Sequence, residues 1–70
     1  MGHTIAITVN GSEELVSGGA TVADLIDHYR QADPGLVVEL NGELVFPQRY
    51  ESTVVSDKDR IEFINCGFCG

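Results

Sequence analysis

Seventy residues allow one domain with a thin core, because a chain of this length buries only about 60% of the surface it exposes when unfolded. An apolar fraction of 43% suits a globular domain, but so little interior leaves scant room for a deep substrate cavity and argues against a self-contained enzyme. Eleven acidic residues against four basic ones, a formal charge of −7, supply no basic stripe of the kind that nucleic acid or an anionic membrane requires.

The start, Met1-Gly2-His3-Thr4, lacks the positive region and apolar stretch of a signal peptide, and no apolar run approaches the roughly 18 residues of a membrane helix. A cytoplasmic location is therefore expected. Ile5, Ile7 and Val9 alternate with Ala6 and Thr8, the period of a strand with one buried face. Asn10-Gly11 predicts a tight hairpin turn, since both residues tolerate positive φ, and Ser12 to Val16 returns as a second strand. After the loop Ser17-Gly18-Gly19-Ala20, Thr21 and Asp24 form a capping box that opens a helix. Val22, Leu25, Ile26 and Tyr29 line one apolar stripe, and Pro34-Gly35 closes the helical region.

Leu36 to Leu40 is a strand, Asn41-Gly42 a second hairpin turn, and Glu43 to Phe46 its return. Pro47 to Glu51 breaks the pattern as a short turn or a single helical coil. Thr53-Val54-Val55 is either a brief strand or a covering segment. A polar turn at Asp57-Lys58-Asp59-Arg60 precedes the last strand, Ile61 to Ile64. One helix covers one face of a sheet, so the expected class is α+β: a mixed sheet of about four to five strands with the helix packed on one side. That layout is a β-grasp, ubiquitin-like fold over residues 1–65, followed by a flexible tail, 66–70. Its core joins Ile5, Ile7, Val9, Val38, Leu40, Ile61 and Phe63 to Leu25, Ile26 and Tyr29. Alternation then turns Val37, Glu39, Glu62 and Ile64 to the opposite face, where Val37, Ile64 and the tail residue Phe68 form an apolar patch suited to a partner.

The segments Thr21-Val22-Ala23-Asp24-Leu25-Ile26, Leu40 to Tyr50 and Asp59 to Ile64, with a glycine-bearing tail, resemble the ThiS-type sulfur carriers, which belong with the MoaD-type carriers among ubiquitin-like proteins. The resemblance covers nearly the whole chain. It implies a carrier and not an enzyme. A ThiF-type, E1-like adenylyltransferase would activate the carboxylate of Gly70 with ATP, sulfur would replace AMP to give a thiocarboxylate, and a ThiG-type thiazole synthase or another acceptor would take the sulfur. No cofactor would be bound permanently. Alternatives are a carrier for molybdopterin, cysteine or homocysteine formation, a ubiquitin-like interaction module without transfer, and a thiol metal-binding module.

The tail departs from the Gly-Gly ending of that family. Cys66-Gly67-Phe68-Cys69 precedes Gly70, so the terminal glycine is kept and the penultimate one replaced. As a C-x-x-C pair following a strand, these cysteines lack the helix N-terminus that activates redox thiols, and two thiols fall short of the four ligands a structural metal takes. No catalytic or metal-binding residue is assigned. Cys69 is expected to hold persulfide sulfur briefly or to pair with Cys66 or a partner thiol. His28 is expected to face solvent.

Overall fold

The computed structural model describes residues 3–29 and 34–65. Strand β1 (Thr4–Val9) turns at Asn10-Gly11 into β2 (Ser12–Ser17); both turn residues have positive φ, 49° and 86°. Helix α1 (Val22–His28) follows. Strands β3 (Leu36–Leu40) and β4 (Glu43–Val45) are joined by Asn41-Gly42, again at positive φ, and β5 (Arg60–Asn65) ends the described chain. The five strands lie in the order β2-β1-β5-β3-β4. Neighbours are antiparallel except β1 and β5, which run parallel with Val9 beside Ile61. The class is the expected one, α+β with a β-grasp sheet of five strands.

Ile7, Val9, Val16, Val38, Ile61 and Phe63 send buried side chains to the helix side of the sheet, where Val22 and Leu25 meet them. Full burial of each aliphatic side chain contributes about 1.5–3 kcal/mol, so the centre of the sheet holds most of the stability. Ile5, Leu40, Ile26 and Tyr29 sit at the margin of this core, only partly covered. Ala20 and Val55 are buried as well, although no local periodicity marks them. Val55 belongs to the covering segment: Thr21 forms an isolated bridge with Val54, and the Val55 N–H donates to the Ala20 carbonyl at 2.9 Å.

The helix start is satisfied by two different means. Thr21 Oγ1 accepts from the Asp24 N–H at 3.1 Å while Asp24 Oδ2 accepts from the Thr21 N–H at 2.9 Å, which completes the capping box. The N–H groups of Val22 and Ala23 donate to the Thr53 and Tyr50 carbonyls, both at 2.9 Å. The 3-10 turn Pro47–Arg49 and the residues after it thus form a ceiling over the helix N-terminus, whose first N–H groups would otherwise lack partners. At the other end α1 stops at His28 with Tyr29 as C-cap, well short of the Pro34-Gly35 boundary. Within the family of side chains on this face, Tyr29 stands at 6.3 Å from the Phe63 ring, and burial together with the Glu14 carboxylate it hydrogen-bonds raises its phenol above the usual value.

Both Asn-Gly turns are tied to β5. Where β1 leaves its ladder, Asn10 N–H donates to the Ile61 carbonyl at 3.0 Å and Asn10 Oδ1 accepts from the Phe63 N–H at 2.8 Å. Where β3 leaves its own, Asn41 N–H donates to the Arg60 carbonyl at 2.7 Å and Asn41 Oδ1 accepts from the Arg60 N–H at 2.9 Å. In each case a carboxamide replaces the backbone carbonyl that the turning chain withdraws, so the central strand keeps its hydrogen bonds. Asn41 Nδ2 further donates to Asp59 Oδ1 at 3.0 Å, fixing the loop before β5.

Candidate functional site

The residues expected to meet a partner come together as two cross-strand pairs. Val37 lies directly opposite Ile64, and Glu39 directly opposite Glu62, on adjacent antiparallel strands β3 and β5. Val38 and Phe63, between these pairs in register, point to the core and are 0% and 6% exposed. Period-2 alternation therefore sends all four site side chains to the face that the helix does not cover. Val37 and Ile64 remain 37% and 42% exposed.

Strand β4 widens this surface beyond the sequence reading. Leu44 is paired with Glu39 and is exposed, and the extended backbone of Phe46 carries a second exposed ring beyond it. Neither residue was singled out from sequence, because strand alternation places Leu44 on this face only once the register with β3 is known. The resulting patch is apolar at Val37, Ile64, Leu44 and Phe46, with two carboxylates embedded in it. Opposed residues of an antiparallel pair hold their Cβ atoms about 5 Å apart, and like charges at that spacing destabilise the pair. Half-buried Glu39 and Glu62 thus repel each other in the free protein, and a cationic group laid across them would relieve that repulsion.

Strand β5 ends at Asn65, opposite Leu36, next to the Val37–Ile64 pair. The remaining site residues from the sequence, Cys66, Gly67, Phe68, Cys69 and Gly70, lie outside the described residues, as does the Phe68 contribution to the patch. His28 is exposed, as expected, with its imidazole edge-on to Tyr29 at a centroid distance of 4.7 Å. The Pro47 to Tyr50 segment, one of the stretches that carried the family resemblance, lies over the helix start, where its visible task is architectural. Among the described residues, no helix is long and apolar enough to cross a membrane.

Comparison with known proteins agrees with this geometry. The model of the ThiS family matches residues 2–66. Among solved structures, a thiamine biosynthesis protein (ThiS) from Geobacter metallireducens superposes with a TM-score of 0.81 at 31% identity, over 89% of this chain and 94% of that one. No curated protein matches the chain.

Proposed function

The chain belongs to the ThiS family, and on that premise we propose that it is a sulfur carrier of thiamine biosynthesis whose reactive group is the carboxylate of Gly70. The observation that carries this reading is the family match over nearly the whole chain, joined to a sheet whose central strand leads straight toward the tail. A ThiF-type adenylyltransferase transfers AMP from ATP to the carboxylate and releases pyrophosphate. A carboxylate is a poor electrophile, whereas the acyl-adenylate carbonyl is open to attack. A sulfur nucleophile then forms the C–S bond as the C–O bond to AMP breaks, leaving a thiocarboxylate for a ThiG-type thiazole synthase. The carrier binds no resident cofactor, and its place is the cytoplasm, with its partners.

The division of labour suits the chain. Glycine at position 70 lets a partner's active site approach the backbone without a Cβ in the way. Val37, Ile64, Glu39 and Glu62 form the grip beside the tail, with Leu44 and Phe46 at its rim, and their mixture of apolar and acidic character calls for a partner surface that is apolar with basic groups set into it. Cys69 stands in sequence where the family ordinarily has glycine, and its thiol takes sulfane sulfur from a persulfide-bearing donor, whose own thiol is released, before the sulfur passes to the activated carbonyl.

Intact mass tests the reading. Incubation with ATP, a ThiF-type enzyme and a sulfur source adds about 16 Da when oxygen is replaced by sulfur on the carboxyl. An unchanged mass under conditions that load another ThiS protein overturns it. Loading at an undiminished or faster rate in Cys69→Gly removes the persulfide role alone.

A further inference from the structure

At the far edge of the sheet from the proposed grip, an open groove of about 580 Å³ separates strand β2 from helix α1. Its floor is Val16 and Leu25; Leu15 stands at its sheet rim, 71% exposed, and Asp24 and Asp27 at its helix rim. The Gly18 N–H donates to the His3 carbonyl at 2.8 Å, which fixes the alternation of the β1–β2 ladder. From there the hydrogen-bonded pairs are Ile5 with Val16 and Ile7 with Glu14, and the intervening residues Glu13 and Leu15 direct their backbone N–H and C=O groups away from β1. Strand β2 is an edge strand, and among the described residues nothing pairs with that outward row. An unpaired, exposed edge beside an apolar floor is a template for another strand.

Charge selects the occupant. The carboxylates of Asp24 and Asp27 line one rim, Glu13 extends along the strand, and the chain as a whole carries −7. A second copy would set acidic strand against acidic strand. Residues 66–70 cannot serve, because β5 leaves the sheet at the opposite end. Val9 is level with Ile61, so Asn65 lies nine residues along from the Thr4 end that borders the groove, about 30 Å away. Residues 66–70 reach about 17 Å at full extension.

We propose that this groove binds an extended basic segment of a partner protein by adding it as a sixth strand along β2. Alternate side chains of such a segment face the helix, where lysine or arginine stems lie on Val16 and Leu25 and their heads reach Asp24 and Asp27. The residues between them pack on Leu15 and are apolar. Because the groove is remote from the grip and the tail, it is occupied independently of sulfur transfer.

The probe is an acetylated, amidated pentapeptide of alternating valine or isoleucine and lysine, titrated into the full chain labelled with nitrogen-15. Saturable shifts at Leu15, Ser17, Gly18 and Asp27 amides, with slowed solvent exchange of the Leu15 amide, are expected. Leu15→Pro removes the outward N–H together with the exposed leucine side chain, a change that edge strands accept, and weakens the peptide at least tenfold. Asp27→Lys, on the exposed helix surface and outside the capping box, does the same and decides the matter if Leu15→Pro disturbs folding. A version with glutamate for lysine does not bind. Shifts that do not saturate, shifts centred on Val37 and Ile64, self-association through β2, or affinity unchanged in Asp27→Lys each overturn the proposal.

Discussion

The two faces of β3 and β5 are written in the same apolar alphabet and meet opposite fates. On the helix side, Val38, Ile61 and Phe63 are sealed by Val22 and Leu25. On the other, Val37 and Ile64, one residue along each strand, stay 37% and 42% exposed and are flanked by the more exposed Leu44 and Phe46. Folding accounts for the first set. It leaves the second partly open to solvent, and that asymmetry separates residues that hold the fold from residues free to meet another molecule.

The sharpest way to break the comparison is to exchange a residue of each face. Phe63→Ala should cost about 3–5 kcal/mol, read as a loss of denaturation midpoint, because the ring is buried against Tyr29 and the space it leaves cannot refill. Asn10→Gly keeps the turn's positive φ but orphans the part-buried Phe63 N–H; a cost of about 1–3 kcal/mol is expected in the same measurement. Ile64→Asp should leave the midpoint nearly unmoved while slowing sulfur loading about tenfold, equivalent to about 1.4 kcal/mol. Normal loading in that variant would remove the grip from Ile64.

Smaller effects sharpen the same contrast. Glu62→Gln relieves the repulsion with Glu39 and should raise stability by about 0.2–1 kcal/mol in chemical denaturation, yet slow loading if a partner cation uses the pair. Last comes Tyr29. Burial and Glu14 hold its phenol above 10.0, so the folded state favours the protonated form. Its contribution is complete below the unfolded value and is lost as pH rises through the raised one. A melting-temperature series across the alkaline range should fall less steeply in Tyr29→Phe than in the parent.

Much of this was legible in the residues. Both Asn-Gly pairs, the Thr21–Asp24 capping box and the alternations of β1, β3 and β5 are local signals, and each specifies its element because the physics acts within a few residues. That Val37, Glu39, Glu62 and Ile64 share one face was legible for the same reason: strand alternation alone separates Val37 from Val38. Leu44 and Phe46 needed the β3–β4 register, which no local pattern carries. The ceiling that Tyr50 and Thr53 place over the helix start, and the burial of Ala20 and Val55, are tertiary facts without a period. The helix proved shorter than the distance to Pro34 suggested, since a proline limits where a helix must stop, not where it does.

One consequence follows from the sheet order. The hairpins β1–β2 and β3–β4 do not touch as strands; among the described residues β5, the last of the five strands in chain order, is the only strand that pairs with both. While Ile61 to Asn65 are still inside the ribosome, the nascent chain has two isolated hairpins and no sheet to lay a helix on. Closure of the sheet therefore waits for β5. A product terminated before Ile61 has no means of passing for the finished molecule.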